Sequence, residues 1–173
     1  MRTVQKIAAT AAAVVLVGAA GGGVAQAASP TGAAVAAGQG APSSCRPANH
    51  LTKITEGPAT SGHHHYRVTL VAAPGYEPCR LAGSPTGVRF SHHGSPVGVT
   101  AGRYGPQNAV VTFGPGHPVH FDIQVPNSPA GAPADEAAFT LRTPDGVIPG
   151  ESTAYGRLTV DIGTAIGPVQ PGA

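Results

Sequence analysis

The residues in this sequence best suited to chemistry are its eight histidines: His50, the run His63-His64-His65, the pair His92-His93, His117 and His120. Imidazole binds transition metals and exchanges protons near neutral pH, so its clusters can be tested against known centres. On a strand successive side chains alternate between faces, which puts His63 and His65 on one face and His64 on the other. Such an H-x-H pair can chelate Zn²⁺ or Cu²⁺, and His120 with Asp122 likewise sets an imidazole and a carboxylate on one face. His63, His65, His120 and Asp122 are therefore the candidate metal ligands. Each established arrangement lacks a part. A cupin-like centre needs a Glu shortly after H-x-H, where this chain has Thr69-Leu70, and an iron site built on His120 and Asp122 needs a later His, which does not follow. Blue copper wants a free Cys and an axial Met, but the one Met is the initiator. A copper brace needs His at the mature N-terminus, and H-E-x-x-H is absent. The expectation is no metal site and no cofactor. His63 to His65 then lie at a strand entry after Ser61-Gly62, and His92-His93 beside the Gly94 turn, as solvated side chains.

Nucleophilic and acid–base chemistry find less support. No G-x-S-x-G occurs, and Gly150-Glu151-Ser152-Thr153-Ala154 lacks the strand-to-helix setting of a nucleophile elbow. Of eight carboxylates only Asp135-Glu136 are adjacent, and neighbours on a strand point apart, which makes a poor dyad. No glycine loop opens a helix to cradle phosphate. The protein is expected not to be an enzyme.

The elements that would carry these side chains are short. Gly and Pro make up about a quarter of the chain and Leu, Ile, Val and Phe about a fifth, with no Trp, so any core is lean. Charged residues are 10%, which excludes a charge-expanded disordered chain and a polybasic nucleic-acid binder. Short runs of Val, Thr, Phe and Tyr recur between Gly/Pro pairs, the spacing of an all-β fold. Tyr66, Val68 and Leu70 alternate with Arg67 and Thr69; Val119, Phe121, Ile123 and Val125 alternate with His120, Asp122 and Gln124. Residues 109–113 are read as a hairpin with 119–125 through Gly114-Pro115-Gly116. Further strands are expected at 51–55, 87–91, 97–101, 138–143 and 157–163, and helix is negligible. One-sided alternation predicts an immunoglobulin-like antiparallel β-sandwich of about seven to nine short strands.

Arg2 and Lys6 precede an apolar stretch from Ile7, and Ala25-Gln26-Ala27 offers a small-x-small cleavage site, so residues 1–27 read as a secretory signal peptide. No Cys lies near the cut for a lipid anchor, which predicts a secreted chain without a stable membrane anchor. Losing Arg2 and Lys6 takes away the whole formal charge of +2 and with it any hint about a partner. Residues 28–44 are read as a flexible Ala/Gly/Ser/Pro leader, 45–166 as the β-sandwich domain and 167–173 as a disordered tail. Cys45 and Cys79 are the two cysteines. In an exported chain an even pair reads as a disulfide, whereas a redox pair or metal thiolates would favour C-x-x-C, which is absent.

Three stretches together carry a family resemblance: Cys45-Arg46-Pro47; Tyr66 to Ala72 leading through Pro74-Gly75-Tyr76-Glu77-Pro78 into Cys79-Arg80-Leu81-Ala82-Gly83-Ser84-Pro85; and Val111-Thr112-Phe113-Gly114-Pro115-Gly116 leading into Val119-His120-Phe121. The set resembles the bacterial, mostly actinobacterial, exported domain of unknown function family 4232, over about residues 45 to 163. That resemblance implies an immunoglobulin-like sandwich with a pairing of the opening Cys and no assigned activity. Ser84 stands where the family usually has an aromatic, and a second C-terminal Cys is missing. The functional expectation is a secreted, monomeric, non-catalytic module that binds a protein or cell-envelope ligand, with 56–66 and 126–137 as contact loops. The rival expectation is a His-dependent metal-binding or acid-responsive extracellular protein.

Overall fold

The centre of the fold is the pair of strands whose alternation is clearest. β2 (His63–Ala72) buries Tyr66, Val68, Leu70 and Ala72, and β8 (Val119–Pro126) buries Val119, Phe121, Ile123 and Val125. They pair antiparallel with Val68 opposite Phe121 and Tyr66 opposite Ile123, so both apolar rows fall on one face. The computed structural model describes residues 42–173.

From this pair the sheet extends both ways. β1 (His50–Glu56), entered through one 3₁₀ turn at Pro47–Asn49, lies antiparallel to β2 with Ile54 opposite Val68. β12 (Ser152–Val160) lies parallel to β1, in register at Lys53 and Tyr155. Antiparallel strands follow: β9 (Ala132–Thr140), β4 (Thr86–His92) and β5 (Ser95–Val97). Beyond β8 come β13 (Ala165–Ile166) and, parallel to it, β6 (Gly102–Arg103), while β14 (Gln170–Pro171) also pairs β8. The path is β5-β4-β9-β12-β1-β2-β8-β13-β6, and this mixed sheet curls into a half-barrel. Two short ladders complete the domain: β3 (Cys79–Ala82) with β7 (Val110–Phe113), and β10 (Arg142–Thr143) with β11 (Gly146–Val147).

One core cluster joins the main sheet to the β3–β7 ladder. All four phenylalanines are fully buried in it: Phe90 from β4, Phe113 from β7, Phe121 from β8 and Phe139 from β9. Phe121 and Phe139 meet edge to face with ring centroids 5.0 Å apart, the arrangement the ring quadrupoles favour. The β12–β9 ladder carries a bulge between Tyr155 and Leu158, just past the point where β12 pairs with β1 at Tyr155. Gly156 sits there at φ +156°, where a Cβ would collide with the Ile54 carbonyl oxygen, so only glycine lets the two backbones approach.

The all-β reading holds, and among the described residues helix is limited to the 3₁₀ turn at Pro47–Asn49. The antiparallel immunoglobulin-like sandwich does not describe this topology, because β1–β12 and β13–β6 are parallel and ten strands share one sheet. Alternation reports which face is buried; it carries no information on a strand's direction or neighbour. For the same reason the expected hairpin of 109–113 with 119–125 is corrected. Gly114 does turn tightly onto His117, but β7 leaves to pair with β3 while β8 pairs with β2. The strand expected at 97–101 ends at Val97, and that expected at 157–163 is the end of a longer one, 152–160.

The expected domain ends also shift. Residues 1–27 and most of 28–44 lie outside the described residues. Within that leader, Ser43 bridges Glu77 and Ser44 is buried. Residues 167–173, expected as a disordered tail, are instead tied down: Val169 is buried, its N–H donates to the Gly83 carbonyl, and Gln170 pairs with His120. Two buried apolar side chains, Pro168 and Val169, and three backbone donors, Gly167, Val169 and Gly172, hold the segment, which Gly/Pro-rich composition conceals.

Candidate functional site

The four candidate ligands chosen from sequence do not converge. His63 and His65 lie near each other, ring centroids 6.5 Å apart, and His65 Nε2 hydrogen-bonds the Thr60 hydroxyl at 2.9 Å. His65 stands opposite Gln124 and His120 opposite Thr69, four positions further along β2, which is roughly 13 Å. His120 is buried under the C-terminal segment, where its Nδ1–H donates to the Gly172 carbonyl at 3.0 Å. Asp122 faces Arg67, with Nε to Oδ1 at 3.5 Å. All four share the outer face as alternation requires, but the ladder strings them along it. Among the described residues, the His/Asp group close enough to share an ion is a different one: His92, His93 and Asp135.

That group comes from the end of the β4–β5 hairpin and from β9. β4 and β9 pair through Ser91 and Glu136, so the next step places His92 across from Asp135. His93 and Gly94 form the two-residue turn, both with positive φ, +49° and +77°. Asp135 holds that turn, its two carboxylate oxygens accepting from the His93 N–H at 3.2 and 3.1 Å. Oδ2 lies 3.4 Å from His92 Nδ1 and 3.3 Å from His93 Nδ1, and the two rings are tilted with centroids 4.0 Å apart. His92 and Asp135 are half-buried and His93 is exposed.

His50, like His120, is buried. Its Nδ1 is 2.9 Å from the Ser44 carbonyl, which can only accept, so Nδ1 carries the proton and Nε2 accepts from the Ser152 hydroxyl at 3.0 Å. Its ring meets Phe113 edge-on at 5.5 Å. Burial pushes its pKa below the ordinary imidazole value, against the opposing pull of hydrogen bonds to the Ser44 and Arg46 backbone. His50 is thus a neutral strut linking the segment before β1 to β12. Cys45, five residues earlier, bridges to Cys79 at the start of β3 with Cα atoms 6.0 Å apart, as the cysteine pair predicts.

The outer face of β1, β2 and β12 carries a second kind of feature. Leu51 is 78% exposed, Tyr155 62% and Val71 47%. Leu51 and Val71 are direct cross-strand partners, and Lys53 links them to Tyr155. They line a shallow groove of about 640 Å³ together with Lys53, Thr55 and Thr69. Such large apolar side chains stand out in a chain that has so few.

The family model for the domain of unknown function (DUF4232) matches residues 45–171. The chain belongs to that family. No curated protein and no solved structure matches it. The DUF4232 domain therefore runs from the bridged Cys45 through β14, taking in residues 167–171 that composition would set aside. Among its described residues no helix is long and apolar enough to cross a membrane. Of the contact loops expected at 56–66 and 126–137, residues 63–66 and 132–137 are strand. The DUF4232 features missed from sequence did leave signals. Leu51 and Val71 are apolar on the off-beat of strands whose buried beat is Ile54 and Val68–Leu70, and His93-Gly94 has the glycine-second pattern of a tight hairpin turn.

Proposed function

We propose that this domain is an exported, non-catalytic binding module that recognises a protein or cell-envelope ligand through the outer face of β1, β2 and β12. The observation that carries the reading is the row Leu51, Val71 and Tyr155, apolar side chains held out of a core short of them. A contiguous apolar patch rimmed by polar groups, here Lys53 and Thr69, is the usual form of a recognition surface, and tyrosine suits it by combining apolar area with a polar tip. Export is supported by the leader sequence at 1–27 and by the bridge, which persists in oxidising compartments. The mature chain acts free of a membrane anchor, as a monomer.

The test is fractionation of cells expressing the full chain, followed by chemical cross-linking of the intact envelope and medium. The expected product is a chain beginning near Ala28 outside the cytoplasm, with a discrete cross-linked adduct that disappears in the L51S/Y155S variant. Retention of the whole chain in the cytoplasm, or an adduct indifferent to that double substitution, would refute the reading.

A further inference from the structure

We infer that His92, His93 and Asp135 form a binding site for a divalent transition-metal ion of the zinc class. The turn that brings the two imidazoles together, the ligand distances and the unpartnered His92 nitrogen point there.

Neighbouring residues on a strand normally direct their side chains to opposite faces, so an adjacent His pair should not share an ion. Here the chain bends between them. His93 takes the left-handed conformation at the first position of a tight hairpin turn, a backbone shape that histidine, like asparagine, adopts more readily than most residues. The bend brings its Nδ1 round to the carboxylate oxygen that His92 Nδ1 also faces.

The distances fit a metal polyhedron. Metal bonds of about 2.0–2.1 Å at tetrahedral angles set ligand atoms about 3.3–3.4 Å apart. The two edges meeting at Asp135 Oδ2 are 3.4 and 3.3 Å, and one ligand atom from each of the three residues lies within 4.8 Å of the others.

The third feature is His92 Nδ1 itself. It is shut off from solvent and makes no hydrogen bond, facing Asp135 Oδ2 at 3.4 Å. A buried, unpartnered imidazole nitrogen aimed at a carboxylate is costly unless something lies between them. Asp135 lies across from His92 at the hairpin end of the β4–β9 ladder, with about a third of each side chain open to solvent. Two imidazoles and one carboxylate select Zn²⁺, Ni²⁺ or Cu²⁺ over Mg²⁺ and Ca²⁺. Three protein ligands leave a tetrahedral ion one open position, on the solvent side marked by exposed His93.

The proposal is independent of the sheet face around Leu51, and its test uses the untagged mature chain. Isothermal titration with Zn²⁺ should give one ion per chain with Kd on the order of 1 μM or tighter, and no heat with Ca²⁺. D135N and H92A should each weaken binding at least about tenfold, and H63A/H65A should leave it unchanged. H93N is the folding-safe variant, because asparagine favours the same turn geometry yet removes the ligand; it should keep the metal-free melting temperature and lose the Zn²⁺-induced rise. Absence of binding up to roughly 100 μM Zn²⁺ would overturn the site. So would wild-type affinity in D135N and H93N, or a stoichiometric site abolished by H63A/H65A.

Discussion

Replacing both bridging cysteines by alanine should cost the domain about 4 kcal/mol, and the reason lies mostly in the unfolded chain. Cys45 and Cys79 are 34 positions apart, and closing a loop of that length removes about 4 kcal/mol of entropy from the unfolded ensemble. The folded ladder that Cys79 begins does not depend on the bridge for its place. Leu81 and Phe113 anchor it in the core, the Ser84 hydroxyl donates to the Ile166 carbonyl at 2.9 Å, and the Val169 N–H donates to the Gly83 carbonyl at 3.0 Å. The native fold should therefore survive in C45A/C79A with circular dichroism unchanged. With a urea m-value of about 2 kcal/mol per molar, the unfolding midpoint should fall by roughly 2 M, and the reduced wild type should fall by a similar amount. A midpoint shift below about 0.5 M would refute the loop-entropy argument. Loss of hydrogen-exchange protection confined to β3 and β7 would do so too, since it would make the bridge a local clamp.

Two further perturbations test the sheet and the buried His50. Gly156→Ala should destabilise by roughly 3 kcal/mol or more, because the new Cβ has nowhere to go but into the Ile54 carbonyl where β1 and β12 run parallel; a melting temperature within experimental error of wild type would contradict the close approach. Since burial lowers the pKa of His50, its contribution to stability is complete above the unfolded imidazole value of about 6.5. It is lost as pH falls from there toward the native value, at up to about 1.4 kcal/mol per pH unit. Urea midpoints between about pH 7.5 and 5.5 should thus decline more steeply in wild type than in H50Q, and equal slopes would show that His50 is not held neutral.

The parts of the fold readable from sequence are those where a single buried face imposes period two. β2 and β8 qualify because every second side chain from Tyr66 and from Val119 enters the core. β9 gives no such signal. Ala134, Ala137 and Ala138 are all buried, since small side chains fit on either side of a curled sheet, and Pro133 and Asp135 interrupt what rhythm there is. Partner choice was illegible for a different reason: β7 meets β3 through contacts such as Cys79 with Phe113, about as far apart as the bridged cysteines, and no local pattern reports them. The metal cluster depends on that same missing information. His93 and Asp135 are 42 positions apart, so their meeting follows only once β4 is known to lie beside β9.

The parallel pairing of β1 with β12 has a consequence for the order of events in folding. Thr52 bonds the Thr153 carbonyl across 101 positions of chain, and closing a loop of that length costs about 4 kcal/mol before any contact repays it. β1 and β2 can form their hairpin early and locally, yet one edge of β1, in the middle of the finished sheet, stays open until Tyr155 arrives. A chain emerging from its N-terminus would carry that unfilled seam through most of its length. That central joint cannot close until β12 has been made.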